Sequence, residues 1–316
     1  MPAHTAAPPP LQRSLDGTLF PPQALNHRVI AVMVDNSPSD ARPQSGLAGA
    51  DIVYEAEAEG GITRYMALYL KAAPKEIGPV RSTRLYFVDL ARPYSPLFAH
   101  AGENDDVWGP LKDLSLQGFA DMEQILHVPE AFWRDDGRTM PHNLYTSAAR
   151  LRSAAPRHGW PDRPLSAGEF SFANARPPKT AADVVVSFWN GYSVRYRFAH
   201  GAYVRIIDGE VQHDRGRPQP YRVANIVAVW IPARVTDADG DLEMNVYGKF
   251  PALVIAGGRI TRANWVMPGP DVLPAVETQA GKTIQLQPGQ IYVEILPQGG
   301  QVASGKNVWS YASSSQ

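Results

Sequence analysis

At 316 residues the chain is long enough for a large buried core, and a usual domain size of about 150 residues allows two domains. Thirty basic residues against 31 acidic ones leave a net charge of -1, which excludes a global field for nucleic acid or an anionic membrane, so any basic site must be local. The lack of cysteine excludes disulfides, cysteine nucleophiles, thiolate metal centres and lipidation through cysteine in this chain, while no apolar run approaches the ~18 residues of a membrane span and the N-terminus carries no signal-peptide pattern.

Residues 1–26 read as a flexible leader. Its stretch PAHTAAPPP (2–10) has the composition of a tether left when an exported domain loses its signal or anchor, and an expression scar accounts for it equally well. An N-terminal α/β domain spans 27–156. It opens with RVIAVMVDN (28–36), a buried strand ending in a polar turn over 36–40. DIVYEAEAEGG (51–61) alternates from Ile52, which places Ile52, Tyr54, Ala56 and Ala58 on one face and Val53, Glu55, Glu57 and Glu59 on the other. Gly60 and Gly61 break that strand; ITRYMALYL (62–70), the turn AAPKE (72–76) and IGPV (77–80) read as a hairpin leading into Arg81.

A helix is expected from about Thr83 to Ala91, capped by Ser82 or Thr83, with Leu85, Val88 and Leu90 on its apolar face. SPLFAHAG (95–102) follows as a short strand, and Asn104 or Asp105 caps a helix through Leu114. A strand around Phe132 and Trp133, the turn RDDGR (134–138) and MPHNLYTS (140–147) then lead into a helix that Ser147 can cap. The Pro/Gly-rich stretch 157–180 reads as a connection, although FSF (170–172) has the chemistry to pair. From 181 to 316 the pattern is almost wholly β, with runs such as VVVSFW, YSVRYRF, NIVAVWI, PALVIAGG and IYVEIL. The predicted class is therefore α+β or α/β: a mixed α/β sandwich followed by a β-rich domain, either a sandwich or a barrel-like meander.

The chemistry concentrates in IGPVRSTR (77–84). Unpaired backbone donors at a helix start, with Arg81 and Arg84 beside them and Ser82 and Thr83 between, suit a phosphate or carboxylate. Arginines at a strand end also pair with acidic residues of their own domain, and both readings stand on the sequence. Arg64 fits either a second anion contact or a glutamate partner. His100 and His142, in turns after strands, suit proton transfer or hydrogen bonding to a phosphate, with Asn143 beside the second. The glutamate face accommodates a cation, or marks an exposed edge strand. DADGD (237–241) lacks the EF-hand spacing and reads as a β-turn; Trp189, Tyr192, Tyr196, Trp230 and Trp265 read mainly as β-core.

Taken together, ARPQSGLAGADIVYEAEAEGGITRYMALY (41–69), IGPVRSTR with YFVDLA, FAHAG and MPHNLYTS resemble the YerB-like family of bacterial envelope proteins, many of them lipoproteins. PYRVANIVAVW (220–230) and IQLQPGQIYVEILP (284–297) resemble its β-rich C-terminal domain. The resemblance implies an extracytoplasmic location, with membrane attachment only through a removed anchor, since this chain has no lipobox cysteine; it implies little about activity. The succession from GITRYMALYL through IGPVRSTR to FAHAGENDDVWGPLKDL is also similar to the LytR-CpsA-Psr family, which transfers polyprenyl-pyrophosphate-linked glycans. That likeness implies Arg64, Arg81 and Arg84 near a pyrophosphate, and Asp51 or one of Glu55, Glu57 and Glu59 near Mg²⁺. The leading expectation is an envelope protein that binds an anionic glycan or phospholipid-linked ligand through the arginine crevice. The alternatives are a Mg²⁺-dependent phosphotransferase or hydrolase and a non-catalytic protein-interaction module, with no nucleic acid in any of them.

Overall fold

A computed structural model describes residues 11–38, 40–165, 170–174, 183–188, 191–238 and 240–311; Trp189 and the leader stretch 2–10 lie outside them. The chain is mostly β. Ten strands form its central sheet: β1 (Ile30–Asp35), β2 (Ile52–Glu59), β3 (Ile62–Tyr69), β4 (Leu97–His100), β5 (Ala120–Glu123), β6 (Asn225–Trp230), β7 (Gly248–Ala256), β8 (Arg259–Met267), β9 (Ala275–Glu277) and β10 (Ile291–Leu296). Across the sheet they run β9-β8-β7-β6-β10-β2-β3-β1-β4-β5. Near-continuous apolar runs such as IAVMV in β1 belong in strands covered on both faces, and all six residues of β1 are buried.

Period-2 alternation divides these strands between two cores. On one face, Phe87 and Leu90 of α1 (Leu85–Ala91) and Val107 and Leu111 of α2 (Asp105–Leu116) pack with Met33, Ile52, Met66, Val227 and Trp265. The other face meets a second, seven-stranded sheet, whose path is open and not a closed barrel. There Val186, Val194 and Ile207, together with Leu151 of α3 (Ala148–Ala154), pack with Val32, Val53, Ala67 and Tyr292. Each such side chain, fully buried, contributes about 1.5–3 kcal/mol. Tyr196, Trp230 and Trp265 are fully buried, as the β-core reading expects.

Strands from both sides of residues 157–180 meet in the central sheet. β2 pairs in parallel with β10 from Ile52 opposite Ile291 to Ala56 opposite Ile295, which sets Glu55 against Glu294. β10 pairs in parallel with β6 on its other side. FSF contributes Ser171 and Phe172, which pair with Gln285 and Leu286.

Several local expectations change. The hairpin partner of β3 is β2, across Gly60 and Gly61 at φ +56° and +75°, the left-handed pair that a tight hairpin turn favours. IGPV is not a strand: Ile77, Gly78 and Val80 make isolated bridges to Thr146, Ser45 and Val34. The helix expected from about Thr83 starts at Leu85 with Arg84 at its N-cap and no side-chain capping bond, because Ser82 and Thr83 are drawn into other contacts. Asn104 sits at the N-cap of α2 but its side chain reaches Asp241 instead. Ser147 does cap α3, accepting from Arg150 N.

Candidate functional site

β1, β4 and β5 run parallel, and their carboxyl ends carry Asp35, His100 and Glu123. Crevices beyond the carboxyl ends of parallel strands are where binding groups collect in such sheets. Arg81 is delivered there by backbone bonds: Val80 bridges Val34, and Arg81 N donates to Met33 O at 3.2 Å. Its Nε lies 3.2 Å from Asp35 Oδ2, and His142 Nδ1 lies 2.6 Å from the same oxygen. Asp35 Oδ1 accepts from Ser37 N and Oγ at 2.9 and 2.7 Å. Burial acts to raise the Asp35 carboxyl, but the Ser37 bonds, the His142 bond and the Arg81 charge together hold it below the usual carboxylate range.

Asp35 is thus an ionised, buried anchor for two partly open side chains, Arg81 and His142. The terminal nitrogens of Arg81 make no hydrogen bond with the described residues, and its side chain is 26% exposed. His142, with Nδ1 held by Asp35, has no partner for Nε2 among the described residues.

Arg64 and Arg84 stand in the same cluster but are sealed. Glu59, the last residue of β2, accepts from Arg64 Nη2 with one oxygen and from Arg84 Nη2 at 2.5 Å with the other. Arg84 Nε also donates to Asp241 Oδ1 at 3.1 Å, and Ser82 Oγ accepts from Arg64 Nη1 at 2.9 Å and Arg84 Nη1 at 3.3 Å. Burial, opposed by Glu59 and reinforced by the charges of Arg84 and Arg81, lowers Arg64 to about 10. Of the two roles open to Arg64, it plays glutamate partner. Arg84, expected on the ligand, is occupied by Glu59 and Asp241.

The remaining candidates separate. His100 is fully buried, with Nε2 2.8 Å from Asp121 Oδ1 and Nδ1 3.0 Å from Gly102 O. Both acceptors want an N–H, an arrangement that favours the protonated ring. Burial would lower its pKa, but the Asp121 bond and charge raise it. His100 supports the crevice floor and does not line its mouth. Thr83 is buried, with its N donating to Gly102 O. Asn143 Oδ1 accepts from Arg134 Nη1 at 2.8 Å, which secures the 135–143 loop.

The four candidate metal ligands do not converge. At ~3.3 Å per residue, Asp51, just before β2, and Glu59, at its end, are roughly 25 Å apart. Asp51 instead accepts from Ser14 Oγ at 2.5 Å and Leu70 N at 2.8 Å, and burial pushes it up to about 6. Glu55 faces the second sheet and binds Arg205. Nor do the three glutamates share a face: the register shifts between Glu57 and Glu59, and a bulge of that kind re-aims the next side chain. β2 is not an edge strand either, since β10 and β3 flank it.

Sequence reasoning missed Asp35, Asp241 and Arg205. Asp35 had a usable signal, a carboxylate closing a buried strand; Asp241 and Arg205 reach their partners across 157 and 150 residues of sequence.

A pH experiment checks the Asp35 anchor. A carboxyl whose native pKa is depressed adds stability above its ordinary value of about 4, and loses it as pH falls through the lower native value. Asp35→Asn is therefore expected to be less stable than wild type at pH 7, with the gap closing toward pH 3 in urea unfolding. A gap independent of pH would show that Asp35 does not act through its charge.

Residues 16–161 match the family described as "Protein of unknown function (DUF3048) N-terminal domain", and residues 184–293 match its C-terminal domain. The chain is 32% identical over 298 residues to a Bacillus subtilis (strain 168) protein named "Putative lipoprotein YerB", covering 91% of this chain and 86% of that one. The crystal structure of the YerB protein from Bacillus subtilis is similar at a TM-score of 0.79 and 29% identity, covering 94% of this chain and 99% of that one.

Proposed function

The chain belongs to the DUF3048 family, both of whose domains it carries, and from that premise we propose that it is an extracytoplasmic, cell-envelope protein that binds an anionic ligand at Arg81. The location is supported by the name of its Bacillus subtilis relative, "Putative lipoprotein YerB"; no described helix is long and apolar enough to cross a membrane. One observation carries the binding reading. Of three clustered arginines, two are spent on Glu59 while Arg81 keeps its terminal nitrogens open beside His142. A planar guanidinium with free N–H groups matches phosphate or carboxylate oxygens. The envelope ligand class that fits is a phosphate or pyrophosphate head group on a glycan or lipid carrier.

A second reading is favoured by His142. With Nδ1 held by a buried carboxylate, its Nε2 is oriented as a proton acceptor, the arrangement that general bases use. Beside Arg81, such a base would serve a hydrolase or transferase acting on the bound anion. A Mg²⁺-dependent version would need carboxylates other than the four separated above.

Calorimetric titration of inorganic pyrophosphate and a short-chain polyprenyl phosphate, with and without Mg²⁺, tests both readings. Charge-assisted hydrogen bonds contribute about 1.5–3 kcal/mol, so Arg81→Ala is expected to weaken binding by roughly 10- to 150-fold. Affinity unchanged in that variant would remove the assignment. Release of product that disappears in His142→Ala would favour the enzyme, and binding without turnover the binder.

A further inference from the structure

Beside the crevice, α2, β5 and the residues after β5 enclose a groove of about 380 Å³. Trp108, Lys112 and Leu116 follow one another at four-residue spacing along one stripe of α2. Leu111 forms the floor, and Leu126 closes the far wall. Trp108 is 53% exposed, Leu116 79% and Leu126 66%, with Ile125 next to it also exposed. An apolar patch of this kind, rimmed by charge, marks an interaction surface. The rim is acidic: Glu103 lines the groove, and Asp105, Asp106 and Asp113 stand exposed on α2. Glu103 Oε2 makes no hydrogen bond with the described residues and lies 3.7 Å from His100 Nδ1; burial raises the Glu103 carboxyl, His100 acts to lower it, and Glu123 and Asp121 add repulsion. Lys112 Nζ already sits 4.9 Å from the Trp108 ring, so the indole face accepts a cation.

We propose that this groove docks a cationic amphipathic helix of another protein, with leucine-like side chains on Trp108, Leu111 and Leu116 and lysines or arginines toward the exposed Asp105, Asp106 and Asp113. Charge complementarity selects that occupant. An anionic bilayer would be repelled by the acidic rim, and a second copy seated face to face would set like charges against each other.

The test uses the whole chain and two synthetic 18-residue helical peptides, one of leucine and lysine, one of leucine and glutamate, followed by fluorescence anisotropy. The leucine/lysine peptide is expected to bind, and Leu116→Arg, at an exposed position that leaves the fold intact, to weaken it at least tenfold; Trp108→Ala, checked by circular dichroism, should do the same. Four results would overturn the proposal: no binding of the basic peptide, equal binding of the acidic one, binding untouched by Leu116→Arg, or loss in that variant of a self-associated species or of attachment to phosphatidylglycerol vesicles.

Discussion

Residues 1–165 produced without the rest of the chain are expected to show no cooperative unfolding transition and to aggregate. The reason lies in β2. In the whole protein it is an interior strand, bonded through five parallel register pairs to β10, and its Val53 and Glu55 face the second sheet built from later residues. Removing those residues exposes a full strand edge, which templates association. It also strips one face of β1, β2 and β3 of Val186, Val194, Tyr196 and Ile207. Each large side chain that loses its cover forfeits about 1.5–3 kcal/mol, against a net stability of about 5–15 kcal/mol for ordinary proteins. Mixing this fragment with the complementary one is expected to restore the transition. An isolated fragment with a dispersed NMR spectrum and cooperative urea unfolding would contradict this, and would make the two family domains independent folding units.

Arg205→Ala is expected to cost about 3–5 kcal/mol, the range for breaking a buried ion pair by removing one partner. Arg205 belongs to the second sheet and is fully buried, with Nη2 on Glu55, Nη1 on Tyr65 OH at 2.8 Å, and the rings of Tyr65 and Tyr292 each 5.2 Å from its guanidinium. Burial acts to lower its pKa, but Glu55 and the surrounding tyrosines outweigh this and hold it well above its ordinary value. Across the β2–β10 register, burial and then Glu55 drive the Glu294 carboxyl well above its ordinary value. Two buried carboxyl groups, Glu55 and Glu294, thus stand side by side, with Arg205 bound to Glu55. Taking Arg205 away leaves Glu55 buried without its partner. Arg205→Met combined with Glu55→Gln, which removes both charges, is expected to recover much of the loss. Chemical denaturation checks both variants, and a cost for Arg205→Ala below about 1 kcal/mol would show that the cluster does not tie the sheets together.

What could be read from the sequence was local. The apolar run of β1, the alternation of β2, the short strand ending at His100 and the Ser147 cap each follow from neighbours a few residues apart, and each is present. The arginine cluster was legible as a cluster because Arg81 and Arg84 flank one turn. Its charge balance was not. The bulge after Glu57 that swings Glu59 onto Arg64 and Arg84 leaves no mark in an alternating pattern, and Asp241 enters from a hairpin of the other domain. The buried cluster was equally hidden, because parallel pairing of β2 with β10 brings together residues 239 positions apart, Glu55 and Glu294.

The proposed site stands on Arg81, the one of the three clustered arginines whose terminal nitrogens make no hydrogen bond with the described residues. Side-chain Nε–Hε NMR signals of arginine, followed while inorganic pyrophosphate is titrated in, test it most directly. The Arg81 signal is expected to shift and saturate, while those of Arg64 and Arg84, held by Glu59 and Asp241, move little. Saturating shifts at Arg64 or Arg84 with Arg81 unmoved, or no arginine shift at all, would contradict it.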